Sequence, residues 1–273
     1  MCSSNKQHDS NFLNMKKPVF LITRLMVLLM IWGASTNCSA IRRVSDTGAI
    51  THERWDQLLK KHVKKDGFVD YKGFIGDSIE LNRYLAQLSA VHPDDKSWAR
   101  NEQMAYWINA YNAFTVKLIV QNYPVNSIKD IKKGIAFVNS VWDIKFIKIK
   151  GYTYDLNNIE HNILRPVFKD ARVHAAINCA SYSCPQLRNE AYTAEKLEGQ
   201  LTDGMKKFLA DPLRNKITPG KAEISSIFKW FKGDFDRDGG TLIGFINKYS
   251  EQKISDKTEP TYLDYNWQLN EAK

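Results

Sequence analysis

The stretch from Ser97 to Asn122 limits the folds open to this chain more than any other feature of the sequence. It is long, it is apolar on nearly every side when its residues are placed at helical spacing, and Pro124 follows it and ends the helix. A helix that is hydrophobic all round is buried inside a protein. We therefore predict a central buried helix, about residues 97–122, with the other elements packed around it.

The elements predicted before this helix are also helical. Thr51 is a candidate N-cap for a helix that continues to about Lys65, because Trp55 and the leucines after it recur at helical spacing. Asp66-Gly67 is a turn signal. A second helix is predicted over about residues 77–89.

The pattern changes after the central helix. The predicted elements are, in order, a hairpin around Gly151, a short helix over 156–164 stopped by Pro166, a strand over 172–178, a helix from Thr193 to about Leu209, two short strands within 215–225 and a last helix over 241–249. Helices first and strands later, without βαβ alternation, favour an α+β fold. We predict a single domain, 51–273, whose helix-rich N-terminal half packs its central helix against a small, mainly antiparallel sheet.

The charge of the chain suggests a nucleic-acid partner at first sight. The sequence has 39 Lys and Arg against 30 Asp and Glu, a net charge of +9. Part of that excess lies before residue 41, and the basic residues of the first predicted helix are interspersed with Glu53, Asp56 and Asp66. A phosphate-binding surface needs basic residues gathered on one face. We therefore expect no nucleic-acid partner.

Residues 1–40 form a predicted export leader, with Met15 as a candidate start. Lys16-Lys17 is followed by an apolar run from Val19 to Trp32 and then by small residues. This order is typical of a secretory signal, and the run is too short to span a bilayer, which takes about 20 apolar residues. We expect the mature protein to be exported, with residues 41–50 as a linker.

Two processing outcomes stay open for this leader. Cleavage after Ala40 frees a periplasmic protein, whereas residues 33–38 resemble a loose lipoprotein box in which a lipid anchor is attached to Cys38. The residue before Cys38 is asparagine, where Gly or Ala is usual. After either outcome Cys179 and Cys184 remain, in an oxidising compartment.

The predicted central helix carries a polar stripe. At about 100° per residue, Glu102 and Asn109 superpose and Asn112 lies within one turn. A buried polar group without a partner costs about 1–3 kcal/mol, so these side chains need partners from elsewhere. The stripe is either a structural network that ties the helix to nearby loops or part of a site, with the two asparagines as binding residues.

A second polar group lies on the short helix predicted before Pro166. His161 follows Glu160 directly, and Arg165 comes one helical turn later. An acid and a guanidinium beside a histidine can orient its imidazole, which makes Arg165 a candidate binding residue. The alternative is a surface ion pair.

The third segment, 172–185, runs from the predicted strand into a loop rich in Ser and Cys. On a strand, His174 and Asn178 point to the same side, and Cys179 comes at the strand end. A thiol becomes a nucleophile when a nearby histidine or cation lowers its pKa. The alternative is a disulfide between Cys179 and Cys184 that closes the loop.

No metal and no cofactor is predicted. Residues 234–239 imitate the start of a calcium loop, but the twelfth position, where such a loop needs glutamate, is Phe245. His161, His174 and Glu102 lack a ligand spacing such as His-Glu-x-x-His.

The three polar segments together resemble a known family. Residues 102–113, 159–165 and 174–185, with 55–71 before them and 227–231 after, are similar to the family known as domain of unknown function 547. The resemblance covers about residues 51–250 and rests on the combination of motifs. It implies one domain with a shared polar site, in a family that includes exported bacterial proteins, and it implies no particular reaction.

Two functions are consistent with these residues. In the first, the protein is an envelope thiol-dependent hydrolase or acyltransferase: Cys179 or Cys184 attacks, His174 or His161 is the base, and Glu102 or an asparagine on its helix face orients that base. Its substrates would be peptides, cell-wall stems or acylated surface molecules. In the second, the protein is a non-catalytic envelope module that binds a ligand or partner and is closed by a disulfide. The first needs a free thiol and the second does not.

Overall fold

A computed structural model describes residues 48–131 and 140–273. In chain order the helices are α1 (Glu53–His62), α2 (Tyr71–Gly76), α3 (Ser78–Ala90), α4 (Arg100–Asn122), α5 (Arg165–Phe168), α6 (Leu197–Ala210), α7 (Ser226–Trp230), α8 (Lys232–Gly239) and α9 (Leu242–Tyr249). The strands are β1 (Ile147–Ile149), β2 (Tyr152–Tyr154), β3 (Lys216–Thr218), β4 (Lys221–Ser225) and β5 (Thr261–Leu263). The described residues form one compact unit, and the fold is α+β, as predicted.

Helix α4 is the central helix that the sequence predicted. Every residue from 104 to 116 is buried, and the helix packs against α2, α3 and the π-helical segment Asn158–Leu164. It begins at Arg100 rather than Ser97, because the Asp94 carboxylate binds the backbone amides of Lys96 and Ser97 and holds them in a separate turn. This stretch is therefore apolar on all sides because it is buried on all sides, as predicted.

The strands form two small sheets instead of one. Strands β1 and β2 pair antiparallel, as the hairpin around Gly151 predicted. In the second sheet β3 and β4 pair antiparallel around Pro219-Gly220, and β5 pairs parallel with β4. Strand β5 has only three residues, too few for a period of two to stand out, and the sequence did not indicate it.

The prediction of a strand over residues 172–178 is wrong. Residues Ala171–Ala175 form a 3₁₀ turn that begins at Asp170. The Asp170 carboxylate accepts a hydrogen bond from the Arg172 amide at 3.0 Å and pairs with the Arg172 guanidinium. Because a short buried apolar run can be either a strand or a helical turn, its pattern did not distinguish the two.

The prediction that Pro166 stops the helix is also wrong. The π-helical segment Asn158–Leu164 runs directly into α5, which continues to Phe168. Proline occupies the first turn of α5, where a missing amide proton is tolerated. The widened π turn is a feature found often at functional sites.

Two of the predicted N-caps differ as well. Helix α1 begins after His52 instead of Thr51, and α6 begins after Lys196 instead of Thr193, although Thr241 caps α9 by accepting from the Gly244 amide. The predicted leader, 1–40, and most of the predicted linker lie outside the described residues. Within the residues that the structure describes, no helix is both long and apolar enough to cross a membrane.

Candidate functional site

The two cysteines lie in the wall of a cavity of about 210 Å³. Its polar and reactive lining consists of Asn157, Glu160, His161, His174, Cys179 and Cys184. Its aromatic lining consists of Tyr111, Trp142, Trp230, Phe231, Tyr265 and Trp267. A mostly apolar cavity with a few convergent polar groups is the usual form of a small-molecule site in proteins.

The backbone around Cys179 is held by buried amides. Residues 178–185, called the cysteine loop from here on, begin at Asn178, whose backbone amide donates to Asn112 Oδ1 at 2.8 Å. The Asn178 side chain donates to the Pro185 carbonyl at 2.7 Å and accepts from the Ala180 amide at 2.9 Å. Ala180 has a φ of 62°, the left-handed region that a non-glycine residue occupies only when its surroundings enforce it.

The C-terminal segment, residues 265–271, lies along the other side of the cysteine loop. The amide of Tyr182 donates to the Gln268 carbonyl at 2.7 Å, and the Asn270 amide donates to the Ala180 carbonyl at 3.1 Å. These bonds bring Tyr265 and Trp267 to the cavity. The last residues of the chain therefore complete a site whose cysteines lie about eighty positions earlier.

Cys179 is surrounded by hydrogen-bonding groups. Its Sγ lies 3.0 Å from the Sγ of Cys184, 3.0 Å from Ser181 Oγ and 3.3 Å from Tyr265 Oη. Ser181 donates its hydroxyl proton to Tyr265 Oη at 2.9 Å, which leaves the Tyr265 proton for Cys179. Both thiols are free, and Cys184 is buried whereas Cys179 is half-buried.

These contacts make Cys179 the more acidic of the two thiols. The hydrogen bond from Cys184, with those from Tyr265 and the Ser181 backbone amide, lowers the pKa of Cys179 to about 6 against the opposing effect of burial. Burial and the neighbouring Cys179 raise the pKa of Cys184 well above its usual value. When the pair loses one proton, the thiolate is therefore on Cys179 and the remaining proton is on Cys184.

Glu160 supplies a carboxyl group on the π-helical segment beside this thiolate. Its side chain is 8% exposed, and Tyr111 Oη donates to Glu160 Oε2 at 3.3 Å. Burial, reinforced by the negative charge of Cys179, raises the pKa of Glu160 to about 7. A carboxyl that titrates near neutral pH in a cavity is suited to general acid–base work.

His174 is fixed by an ion pair at the back of the cavity. Its Nε2 lies 2.8 Å from Asp234 Oδ2, which also accepts from Arg165 Nε at 2.6 Å. The ring stacks on Phe231 with 4.0 Å between centroids. Burial lowers the pKa of His174, although Asp234 opposes this effect. The hydrogen bonds from His174 and Arg165 outweigh burial at Asp234 and hold the pKa of that carboxyl well below its usual range.

His161 lies at the exposed side of the same group. Arg165 donates to His161 Nδ1 at 2.8 Å, and burial together with the Arg165 charge lowers the pKa of His161. Its imidazole is therefore neutral at pH 7. Among the hydrogen bonds of the described residues, none joins Cys179 to His161 or His174. The cysteine and the two histidines therefore line the same cavity without the direct contact that a Cys–His pair needs.

The structure brings some of the predicted site residues together and separates others. Asn109 lies on α4 away from the cavity and forms two hydrogen bonds with the backbone of Tyr192, whereas Asn112 holds the cysteine loop. Glu102 lies at the start of α4, where its carboxylate accepts from the Ala99 amide at 2.7 Å, and it is not part of the cavity lining. The acid that contacts His174 is Asp234.

Several residues of the cavity were not predicted from the sequence. Glu160 was named only as the neighbour of His161, and Asp234 only as part of a rejected calcium loop. Tyr265 and Trp267 follow the last predicted helix and carried no motif. In the described ranges, no three His, Cys, Asp or Glu side chains are grouped so that they could hold a metal ion.

Comparison with known proteins found one similarity, to a family of unknown function. Neither the curated proteins nor the solved structures gave a match. Residues 96–209, the segment that carries α4, Glu160, His174 and both cysteines, match the family model described as protein of unknown function, DUF547. This segment of the chain is therefore similar to the DUF547 family.

Proposed function

We propose that the protein is a thiol-dependent hydrolase or acyltransferase in which Cys179 is the nucleophile. The observation that carries the proposal is a half-buried thiol with a pKa near 6 in the wall of an aromatic cavity, beside a carboxyl with a pKa near 7. A thiolate is the reactive form of cysteine, and covalent catalysis needs a proton donor and acceptor in reach of the same substrate.

The first half of the proposed reaction forms an acyl-enzyme. The Cys179 thiolate attacks the carbonyl carbon of an ester, thioester or amide, and the carbonyl electron pair moves to oxygen. The intermediate collapses, the bond to the leaving group breaks, and protonated Glu160 donates its proton to that group. Glu160 suits this step because its pKa near 7 leaves a large fraction protonated at neutral pH.

The second half returns the enzyme to its starting state. The ionised Glu160 accepts a proton from water, in hydrolysis, or from an acceptor hydroxyl or amine, in acyl transfer. The resulting nucleophile attacks the thioester carbon, the carbon–sulfur bond breaks, and Cys179 leaves as a thiolate. His161, neutral and exposed at the cavity, is a second group able to accept this proton.

The pair of His174 and Asp234 has a positioning role in this scheme. His174 Nε2 is committed to Asp234, and its ring is held between Phe231 and Phe235. We assign it to the shape and charge of the cavity wall rather than to proton transfer. Arg165 links this pair to His161 and fixes the orientation of both rings.

We further propose that the site works outside the cytoplasm. The support is the sequence of residues 1–40, with its basic start, apolar run and small residues. The substrates would then be exported peptides, cell-wall stems or acylated surface molecules. Lipidation at Cys38 would hold the site at the membrane, whereas cleavage after Ala40 would release it.

A panel of aryl esters, thioesters and peptide esters tests the catalytic proposal. We expect Cys179→Ala to abolish turnover and Glu160→Gln to reduce kcat by about 10²–10³-fold, as loss of an acid–base group does. Glu102→Gln is the matched control, since glutamine can still cap α4, and it should keep wild-type turnover. Equal losses in the two glutamine variants would contradict the role of Glu160.

The aromatic lining favours a second candidate function, a ligand-binding module without catalysis. Trp230 is 48% exposed and stacks on Trp267 with 5.9 Å between centroids, which gives a flat apolar surface at the cavity. In that case Trp230→Ala would abolish binding of a ligand, and Cys179→Ala would leave it intact. The two candidates therefore differ in the effect of Cys179→Ala.

A further inference from the structure

We infer that Cys179 and Cys184 form a redox-active dithiol, which exchanges with small disulfides such as oxidised glutathione and closes into an internal disulfide. This activity is distinct from acyl transfer, because it uses both sulfur atoms and no carbonyl substrate.

The cysteine loop holds the two sulfur atoms ready for this bond. Their separation of 3.0 Å has to shrink by about 1 Å to reach the usual length of a disulfide. The Cys184 amide donates to the Ser181 carbonyl at 3.0 Å, and Arg214 donates to the Tyr182 carbonyl at 3.0 Å and also to the Cys184 carbonyl. These hydrogen bonds therefore hold the turn in the arrangement that places the two sulfur atoms 3.0 Å apart.

The two cysteines have different surroundings, and this divides their roles. Cys179 is half-buried, so an external disulfide can reach it, whereas Cys184 is only 3% exposed. Thiol–disulfide exchange begins with attack by the accessible thiolate, and a buried second thiol resolves the mixed disulfide. The structure thus assigns attack to Cys179 and resolution to Cys184.

The exchange is balanced in two steps. The Cys179 thiolate attacks one sulfur of the small disulfide, forms a mixed disulfide and releases one small thiolate. The Cys184 sulfur then attacks Cys179 Sγ, the bond to the remaining small thiol breaks, and the Cys184 proton ends on the departing small thiolate. The dithiol is oxidised by two electrons, and the small disulfide is reduced to two thiols.

Oxidation also removes the nucleophile of the proposed acyl transfer. This consequence rests on the proposed function, whereas the exchange reaction itself does not. The two proposals can therefore fail separately. An ester assay with reductant present tests acyl transfer alone, and a thiol count with oxidised glutathione and no ester tests the exchange alone.

Native protein incubated with oxidised glutathione tests the inference by intact mass and thiol count. We expect the wild type to lose both thiols together and two hydrogens in mass, with no lasting glutathione adduct. Cys184→Ser, or Cys184→Ala if the serine variant does not fold, should instead accumulate one glutathione on Cys179. In Cys179→Ser, Cys184 should stay unmodified until the protein is unfolded.

Two results would overturn the inference. One is a wild type that keeps both thiols, or carries a stable glutathione adduct on Cys179, in a large excess of oxidised glutathione. The other is a folded Cys179→Ser variant whose Cys184 reacts as fast as Cys179 does in the wild type. Thermal melts of each variant establish that the folded protein was measured.

Discussion

The Nε2 atom of His174 lies 2.8 Å from Oδ2 of Asp234, sixty residues later in the chain. The same carboxylate oxygen accepts from Arg165 Nε at 2.6 Å, so one acid joins the 3₁₀ turn, α5 and α8. The Asp234 carboxylate therefore connects three helical elements that no β-sheet joins. It also determines which way the imidazole of His174 faces.

Asp234→Asn should therefore destabilise the fold. The substitution removes the charge that pairs with Arg165 and His174, and loss of one partner from a largely buried pair costs about 2–4 kcal/mol. Urea denaturation at pH 7 measures it. Asp236→Asn, on the same helix and paired with the exposed Lys232, is the control and should have a much smaller effect. Equal effects would show that the Asp234 contacts contribute little.

Glu160→Gln should change how stability depends on pH. Folding raises the pKa of Glu160 to about 7, so the folded state binds more protons than the unfolded state between about pH 4.5 and 7. The stability associated with that proton is present below pH 4.5 and is lost as pH rises through 7. Relative to the wild type, Glu160→Gln should gain up to about 3 kcal/mol between pH 5 and pH 8. Parallel pH profiles of the two proteins would contradict this.

The sequence predicted the hairpins and the helices α1, α3, α4, α6 and α9, because each shows its own period. It did not predict the helices α2, α7 and α8. Burial on all sides marked α4, and Pro219-Gly220 marked the turn between β3 and β4. Residues 171–175 were mistaken for a strand because their form depends on contacts with Asp170 and Asp238, which lie outside the run. Where the local sequence pattern fitted both a strand and a helical turn, tertiary contacts determined which of the two formed.

The candidate site could be predicted only in part for the same reason. His161, His174 and both cysteines belong to conspicuous segments and do line one cavity. Asp234 and Tyr265 reach them only through folding, and no local motif shows that a carboxylate on α8 or a hydroxyl near the C-terminus will arrive there. Glu102 was predicted as a site residue because it lies on the central helix, but its position is in the first turn of that helix.

Cys179 should react with iodoacetamide long before Cys184, with a pH midpoint near 6. Tyr265→Phe removes one hydrogen bond to the thiolate and should raise that midpoint by roughly one pH unit. Tyr262→Phe, whose ring lies near Lys229 instead, is the matched control and should leave the midpoint unchanged. If His174 or His161 were the base for Cys179, as in the first function drawn from the sequence, His174→Ala or His161→Ala would slow the labelling. The structure points to Tyr265, Ser181 and Cys184 for that effect.

Substitution of the two asparagines of α4 should affect the stability of the fold and the reactivity of Cys179 differently. Asn109→Ala leaves the buried backbone of Tyr192 without its partners and should cost about 2–4 kcal/mol while Cys179 labels normally. Asn112→Ala breaks the bond to the Asn178 amide and frees the cysteine loop, so it should lower stability and also slow labelling. Equal labelling rates in the two folded variants would show that Asn112 does not position the loop.

The most direct test of the central claim is the intact mass of the reduced protein, quenched at short times after mixing with a reactive thioester. We expect one acyl group, located on Cys179 by peptide mapping, which disappears as product forms and persists longer in Glu160→Gln. Cys179→Ala should gain no mass and show no turnover. Turnover that survives in Cys179→Ala, or a folded wild type that never acylates Cys179 under reducing conditions, would contradict the claim that Cys179 is the nucleophile.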